Sequence, residues 1–304
     1  MASLFVPQSM PGELLVSALA ENSITRIGQT SVQMAAIRAR ASESPDSPYF
    51  EPMARIFADS LGQRESRNTV EKRSCISPHV ARHMMIDKLL YNSLSESCHS
   101  PKQVVILGAG METRAYRLGE SLPAVKWFEV DLPEIVRLKE ETLASNAISV
   151  SRGGKITRIG LNLESDLDQL LPALKEKGFE PCAPAAFVME GLVYYMEPVD
   201  VARLWSALPT VPTSCMIVSV MREKTRNHFK QGTERAGKAH LWKRHLEQLR
   251  RQDIFPPPHW KVVHEVRTNS RGARRLDLRA SVPRMSFPAS LKCPPECIFT
   301  LESI

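Results

Sequence analysis

The chain has 304 residues, 43% of them hydrophobic and 24% charged, and a formal net charge of +7. That length suits one large α/β domain with insertions or two small domains, and no apolar run approaches the length that spans a bilayer, so a membrane protein is not expected. The positive charge gathers after Arg222, through Arg226, Lys230, Arg235, Lys238, Lys243, Arg244, Arg250 and Arg251, without the interleaved aromatics of a base-stacking surface, so it reads as a solvated basic helix and argues against a nucleic-acid partner.

Residues 12–22 carry Leu14, Leu15, Ala18 and Leu19 at helical spacing. Thr30-Ser31 is placed to cap a second helix holding Val32, Met34, Ala35, Ile37 and Ala39. A Ser/Pro break comes next at 42–48, Pro52 opens a short helix with Met53, Ile56 and Phe57, and 62–73 reads as a polar loop. Pro78 opens a further helix with Val80, Met84, Met85, Ile86, Leu89 and Leu90. Residues 1–95 supply no sheet of their own and are expected to form a helical cap packed on an α/β core.

From Gln103 strands and helices alternate. Strands are expected at 103–107, 125–130, 155–161, 185–190, 215–221 and 261–266, with helices at 134–144, around Leu167–Leu174, at 198–208 and over the basic stretch 225–252. This rhythm predicts a doubly wound, mostly parallel α/β sheet over residues 96–267. Residues 268–304 look irregular, with Cys297–Leu301 as a candidate edge strand.

The chemistry concentrates at the first two strands. The apolar run Gln103–Leu107 leads into Gly108-Ala109-Gly110, and a second apolar strand ends in Asp131, about twenty residues on. Glycines permit a sharp turn and close approach to a ligand, and a carboxylate there can accept both ribose hydroxyls. Position 113 is Thr, so the third glycine of a dinucleotide fingerprint is absent, and no GK[ST] phosphate loop occurs. An adenosine ligand without a pyrophosphate fits better, which favours a methyl donor, S-adenosyl-L-methionine, over NAD. Glu129 and Asp131 close the second strand. Past the third come Asn162, suited to bond the adenine amine, and Leu163, suited to cover a ring face. Glu190 ends the fourth, where an unpaired acid would be costly.

Six cysteines without C-x-x-C spacing and eight histidines without H-E-x-x-H offer no metal site. Scattered thiols fit a reducing compartment, and residues 1–10 lack the basic flank and apolar core of a secretion signal, so a cytoplasmic location is expected.

The stretches Val104-Val-Ile-Leu-Gly-Ala-Gly-Met-Glu-Thr-Arg-Ala-Tyr-Arg-Leu118, Trp127-Phe-Glu-Val-Asp-Leu-Pro133 and Met189-Glu-Gly-Leu-Val-Tyr-Tyr-Met196, with Arg82–Asp87 before them, resemble the leucine carboxyl methyltransferase-like family of S-adenosylmethionine-dependent enzymes, in its broad microbial branch. The resemblance runs from about Ser31 to Val266. It implies the class I methyltransferase fold. It also implies a donor site in which Arg82 holds the donor's carboxylate, Gly108 and Gly110 form the loop and Asp131 binds ribose. Asn162 and Leu163 then lie beside adenine, and Glu190 opens the strand-four motif. A basic residue of the N-terminal helix, Arg38 or Arg40, would lie near the donor. Glu112 stands where the family has Asp, and Asn162 where it has Asp.

No nucleophile–base constellation is evident, so transfer to an oxygen, a carboxylate in preference to a hydroxyl, of a small molecule or peptide end is expected. Tyr194, Tyr195 and Arg114 are candidates to line the acceptor pocket, Tyr195 foremost. The alternatives are leucine-carboxyl methylation of a protein phosphatase catalytic subunit, a donor-binding or interaction protein without turnover, and an NAD-dependent oxidoreductase.

Overall fold

The computed structural model describes residues 26–44, 47, 49–59, 77–95, 100–148, 155–225, 227, 245–268 and 296–304. The helices expected at 12–22 and over most of 225–244, and the loop at 62–73, lie outside them. Three helices come first: α1 (Arg26–Glu43), α2 (Met53–Asp59) and α3 (Pro78–Ser95). The alternating part comes next, in chain order β1 (Gln103–Leu107), α4 (Arg114–Gly119), β2 (Lys126–Asp131), α5 (Pro133–Ser145), β3 (Ile156–Gly160), a 3-10 turn at Leu167–Gln169, α6 (Leu170–Glu176), β4 (Ala185–Met189), α7 (Pro198–Ser206), β5 (Cys215–Val220), α8 (Leu246–Arg251), β6 (Trp260–Arg267) and β7 (Cys297–Ser303).

The seven strands form one sheet in the order β3-β2-β1-β4-β5-β7-β6. The first five are parallel, and β7 runs antiparallel to both β5 and β6. The strand period of two sends alternate residues to opposite faces. Val105, Leu107, Phe128, Val130, Phe187, Met189, Met216 and Val218 pack with Leu170, Leu174, Val201, Leu204 and Trp205. Val104, Ile106, Trp127, Ala186, Val188 and Ile217 pack with Val80, Met85, Ile86, Leu89 and Leu90 of α3. Two buried faces explain why β1, β4 and β5 read as unbroken apolar runs. Val32, Ala35 and Phe57 of the leading helices instead meet Met111 and Ile135, Leu138 and Leu143 around α5, which brings α1 against the glycine turn.

Two expectations are corrected. Cys297–Leu301 does form a strand, but not at an edge: β7 fills the sheet between β5 and β6, and its residues Cys297 to Leu301 are all buried. A short apolar run carries no information about its neighbours, and β6 is the edge. Thr30-Ser31 does not cap a helix, because α1 begins at Arg26; the Ser31 hydroxyl donates to the Gly28 carbonyl at 2.7 Å, a bond inside the helix.

Candidate active site

The strand order reverses between β1 and β4, the place where open α/β sheets bind ligands at strand carboxyl ends. At β1 the chain turns sharply. Gly108 N and Ala109 N both donate to Val130 O, at 2.9 and 3.1 Å, which ties the turn to the end of β2. Gly108 and Gly110 have φ of +68° and +49°, a region unfavourable to side chains. A Cβ on Gly110 would lie 2.8 Å from Ser31 Cβ of α1, and one on Gly108 would lie 3.0 Å from Leu192 Cδ1. The turn is thus cramped from both sides.

Asp131 completes this corner. Its Oδ2 accepts from Gly110 N at 2.6 Å and its Oδ1 from Leu132 N at 2.7 Å. Burial raises its carboxyl above the usual range, and the two backbone donors partly oppose that. Each carboxylate oxygen keeps acceptor capacity for a further donor.

A cavity of about 470 Å³ opens here, within the range of small-ligand sites. Arg82, Gly108, Gly110, Asp131, Asn162, Leu163, Glu190 and Tyr195 all line it. Asn162 also shapes its own loop: its Oδ1 accepts from Glu164 N at 2.9 Å and Ser165 N at 3.4 Å. Leu163 is buried and belongs to the core below the cavity. Gly191, after Glu190, is held by donating to Ser219 Oγ of β5 at 2.9 Å.

Arg114 is a correction. It does not line an acceptor pocket. It is fully buried and absent from the cavity wall. Its guanidinium bonds Asp87, Glu112 and Glu190, and Nη2 lies 2.9 Å from His83 Nδ1. A position between three carboxylates is decided by tertiary packing, which residue type alone does not reveal. Glu112, the departure from the family's Asp, holds the turn into α4: its Oε1 accepts from Thr113 N at 2.8 Å and Arg114 N at 2.7 Å. Glu129 turns away from the cavity to Lys139 (2.8 Å) and Arg158 (2.9 Å).

Glu190 joins this buried network to the cavity. Its Oε1 accepts from Arg82 Nε at 2.9 Å, and its Oε2 from Arg114 Nη2. Burial alone would raise its carboxyl, but Arg114, His83 and Arg82 outweigh burial and hold it well below the usual range. Asp87 is likewise held far down by Arg117 and Arg114 against burial. His83, Glu112 and Glu190 come close enough to suggest a metal cluster, but the Arg114 guanidinium bonds both carboxylates.

Two lining residues were not singled out by the sequence, and a third was left undecided. Arg38 was one of two candidates; it is buried, donating through Nε to Glu51 at 3.0 Å and through Nη2 to Met111 O, whereas Arg40 is exposed. Its helical register against Met111 was the missing signal. His79 stands one turn before Arg82 and His83, and burial beside Arg82 lowers its imidazole to about 4, so it is neutral near pH 7. Glu296 lies 214 residues from Arg82 yet accepts from Arg82 Nη1 through both oxygens at 2.9 Å. No sequence pattern relates those two positions.

This doubly wound sheet, with a glycine turn and an acid at its switch point, is the fold of the class I S-adenosylmethionine-dependent methyltransferases. The chain belongs to the leucine carboxyl methyltransferase family, whose model matches residues 31–208. A protein of Mycobacterium sp. (strain KMS), assigned by name to the S-adenosyl-L-methionine-dependent methyltransferases, is 28% identical over 240 residues, 75% of this chain and 77% of that protein. One of Mycobacterium tuberculosis (strain ATCC 25177 / H37Ra) with the same assigned name is 30% identical over 193 residues, 60% of this chain and 54% of that protein. The fold is shared with a DUF574 family protein of Streptomyces avermitilis MA-4680, at TM-score 0.57 and 13% identity over 92% of this chain and all of that one. It is also shared with a protein of Thermobifida fusca YX described by name as a methyltransferase, at TM-score 0.53 and 15% identity over 88% and 94%. No helix among the described residues is long and apolar enough to cross a membrane.

Proposed function

We propose that this methyltransferase transfers the methyl group of S-adenosylmethionine to an oxygen, a carboxylate foremost, of a small molecule or peptide end. The observation that carries the donor half is the corner made by Gly108, Gly110 and Asp131, whose cramped glycines and cavity-lining carboxylate suit an adenosine. In this reading Asp131 accepts the ribose hydroxyls, Leu163 covers a ring face, Asn162 lies beside adenine, and Arg82 and Glu190 meet the amino-acid end. Arg82 is suited to a carboxylate because a guanidinium offers parallel charge-assisted donors.

The donor supplies a sulfonium-activated methyl group. The chain's part is to hold an acceptor oxygen in line with it and to exclude water. Two lining carboxylates, Glu112 and Glu190, are held below the usual range by arginine partners against their burial, which makes them weak bases. An acceptor that is already an anion asks least of such a site, and that supports the carboxylate. Tyr195, against Tyr194 with ring centroids 4.8 Å apart, lines the acceptor side. A hydroxyl acceptor would need a base, and His79, which lines the same cavity, is a poor one because burial beside Arg82 lowers its imidazole to about 4.

Calorimetry with S-adenosylhomocysteine tests the donor half: micromolar binding by the wild type, lost in Asp131→Ala, is expected. A folded wild type that binds none refutes it. Labelled donor with a panel of carboxylate and hydroxyl acceptors, including peptides ending in leucine, then tests the acceptor half. Donor binding with no transfer to any of them would favour a binding protein.

A further inference from the structure

Glu296 sits directly before β7, and its backbone is fixed from β6. Thr268 N donates to Glu296 O at 3.0 Å, and Glu296 N donates to Thr268 Oγ1 at 2.9 Å. The side chain is buried yet lines the cavity. Both its oxygens accept from Arg82 Nη1 at 2.9 Å, an end-on grip, while Arg82 Nε serves Glu190 and Nη1 also approaches Tyr194 Oη at 3.3 Å. Gly191 leaves room for this group, since a Cβ there would lie 3.0 Å from Tyr194 Oη and 3.4 Å from Arg82 Nη2. The cavity's Arg82 thus already holds a carboxylate.

We propose that Glu296 is a specificity-determining residue of the donor site, a resident carboxylate that a ligand's own carboxylate must displace from Arg82. This rests on Arg82 being the donor's carboxylate anchor, as proposed above. A ligand carboxylate that grips both Nη groups finds Nη1 held by Glu296; two carboxylates there repel each other, and each charge-assisted bond lost to one must be regained by the other. A ligand with only the adenosine half never reaches Arg82 and does not meet Glu296. The site therefore gains less from the amino-acid half of its ligand than an unoccupied arginine would give. Because Glu296 is anchored through Thr268, the grip on Arg82 also ties donor entry to the β6–β7 pair.

The test compares two ligands on the full chain by calorimetry: S-adenosylhomocysteine, which has the carboxylate, and 5′-methylthioadenosine, which lacks it. Glu296→Gln is expected to bind S-adenosylhomocysteine about tenfold or more tightly than the wild type, the order expected for one charge-assisted bond, and 5′-methylthioadenosine within about twofold of it. Unchanged or weaker S-adenosylhomocysteine binding by the folded variant overturns the proposal and makes Glu296 a residue that merely positions Arg82. Where the glutamine variant fails to fold, Glu296→Asp decides, since it keeps the charge but is one methylene short of Arg82. It should tighten S-adenosylhomocysteine alone, and the absence of that selective gain overturns the proposal. Loss of the donor reading itself looks different: neither ligand then binds the wild type or any variant, and the role of Glu296 falls with it.

Discussion

Gly110→Ala puts the tightest point of the site under strain. The residue has φ +49°, so an alanine costs about 1–2 kcal/mol for the left-handed backbone. Its Cβ would also stand 2.8 Å from Ser31 Cβ, which forces α1 or the turn to move, an overpacking cost of about 1–3 kcal/mol. Together these lower stability by about 2–5 kcal/mol. Movement of the turn also takes Gly110 N from Asp131 Oδ2, so S-adenosylhomocysteine binding should fall as well. Gly178→Ala isolates the backbone part, since that glycine has φ +92° and nothing within 4 Å of an added Cβ. Urea denaturation, read from midpoints at unchanged slope, should therefore show Gly110→Ala clearly worse than Gly178→Ala. Ser31→Gly removes the atom that is struck, though a helix-interior glycine itself costs about 1 kcal/mol. In the Gly110→Ala background it should recover the clash, with a favourable coupling of about 1 kcal/mol or more. Equal losses at Gly110 and Gly178, or strictly additive effects with Ser31→Gly, would refute the steric argument.

Arg114→Met should destabilise the fold by about 3–5 kcal/mol, because it strands Asp87, Glu112 and Glu190 beside an uncharged side chain; denaturation curves measure this, and a change in acceptor KM with normal stability would contradict it. Acid should also weaken the fold in a defined window. Glu190, Glu112 and Asp87 have folded-state values below their unfolded ones, so their stabilisation is complete above about pH 5 and is lost as pH falls through about 4 toward the folded values. Glu190→Gln should make the stability difference between pH 7 and pH 3.5 smaller than in the wild type, and an unchanged difference would remove Glu190 from the account.

The alternation of apolar runs with helical periodicity was local information, and it placed β1 through β5 and, apart from α4, the helices between them close to where they lie. The strand–glycine–acid spacing was local too, because a turn and the next strand's end must meet at about that separation in any βαβ unit. Asp131, Gly108, Gly110 and Glu190 could thus be proposed from strand ends, and Arg82 from the family resemblance, before any geometry was known, and all of them line one cavity.

Other features needed the tertiary structure. Arg114 and Arg82 are both arginines near the same motifs, yet one is a buried counter-ion and the other faces the cavity. Only the packing of α3 and α4 separates them. β7 carried the composition of a strand but no address, since hydrogen bonds along a sheet are made by backbone groups common to every residue. The meeting of Glu296 with Arg82 depends on that address. Sequence determined which segments would fold and where a nucleotide-like turn would form, because those depend on neighbours along the chain. Tertiary structure decided which charges would pair, because a buried ion takes whatever opposite charge the fold brings within reach.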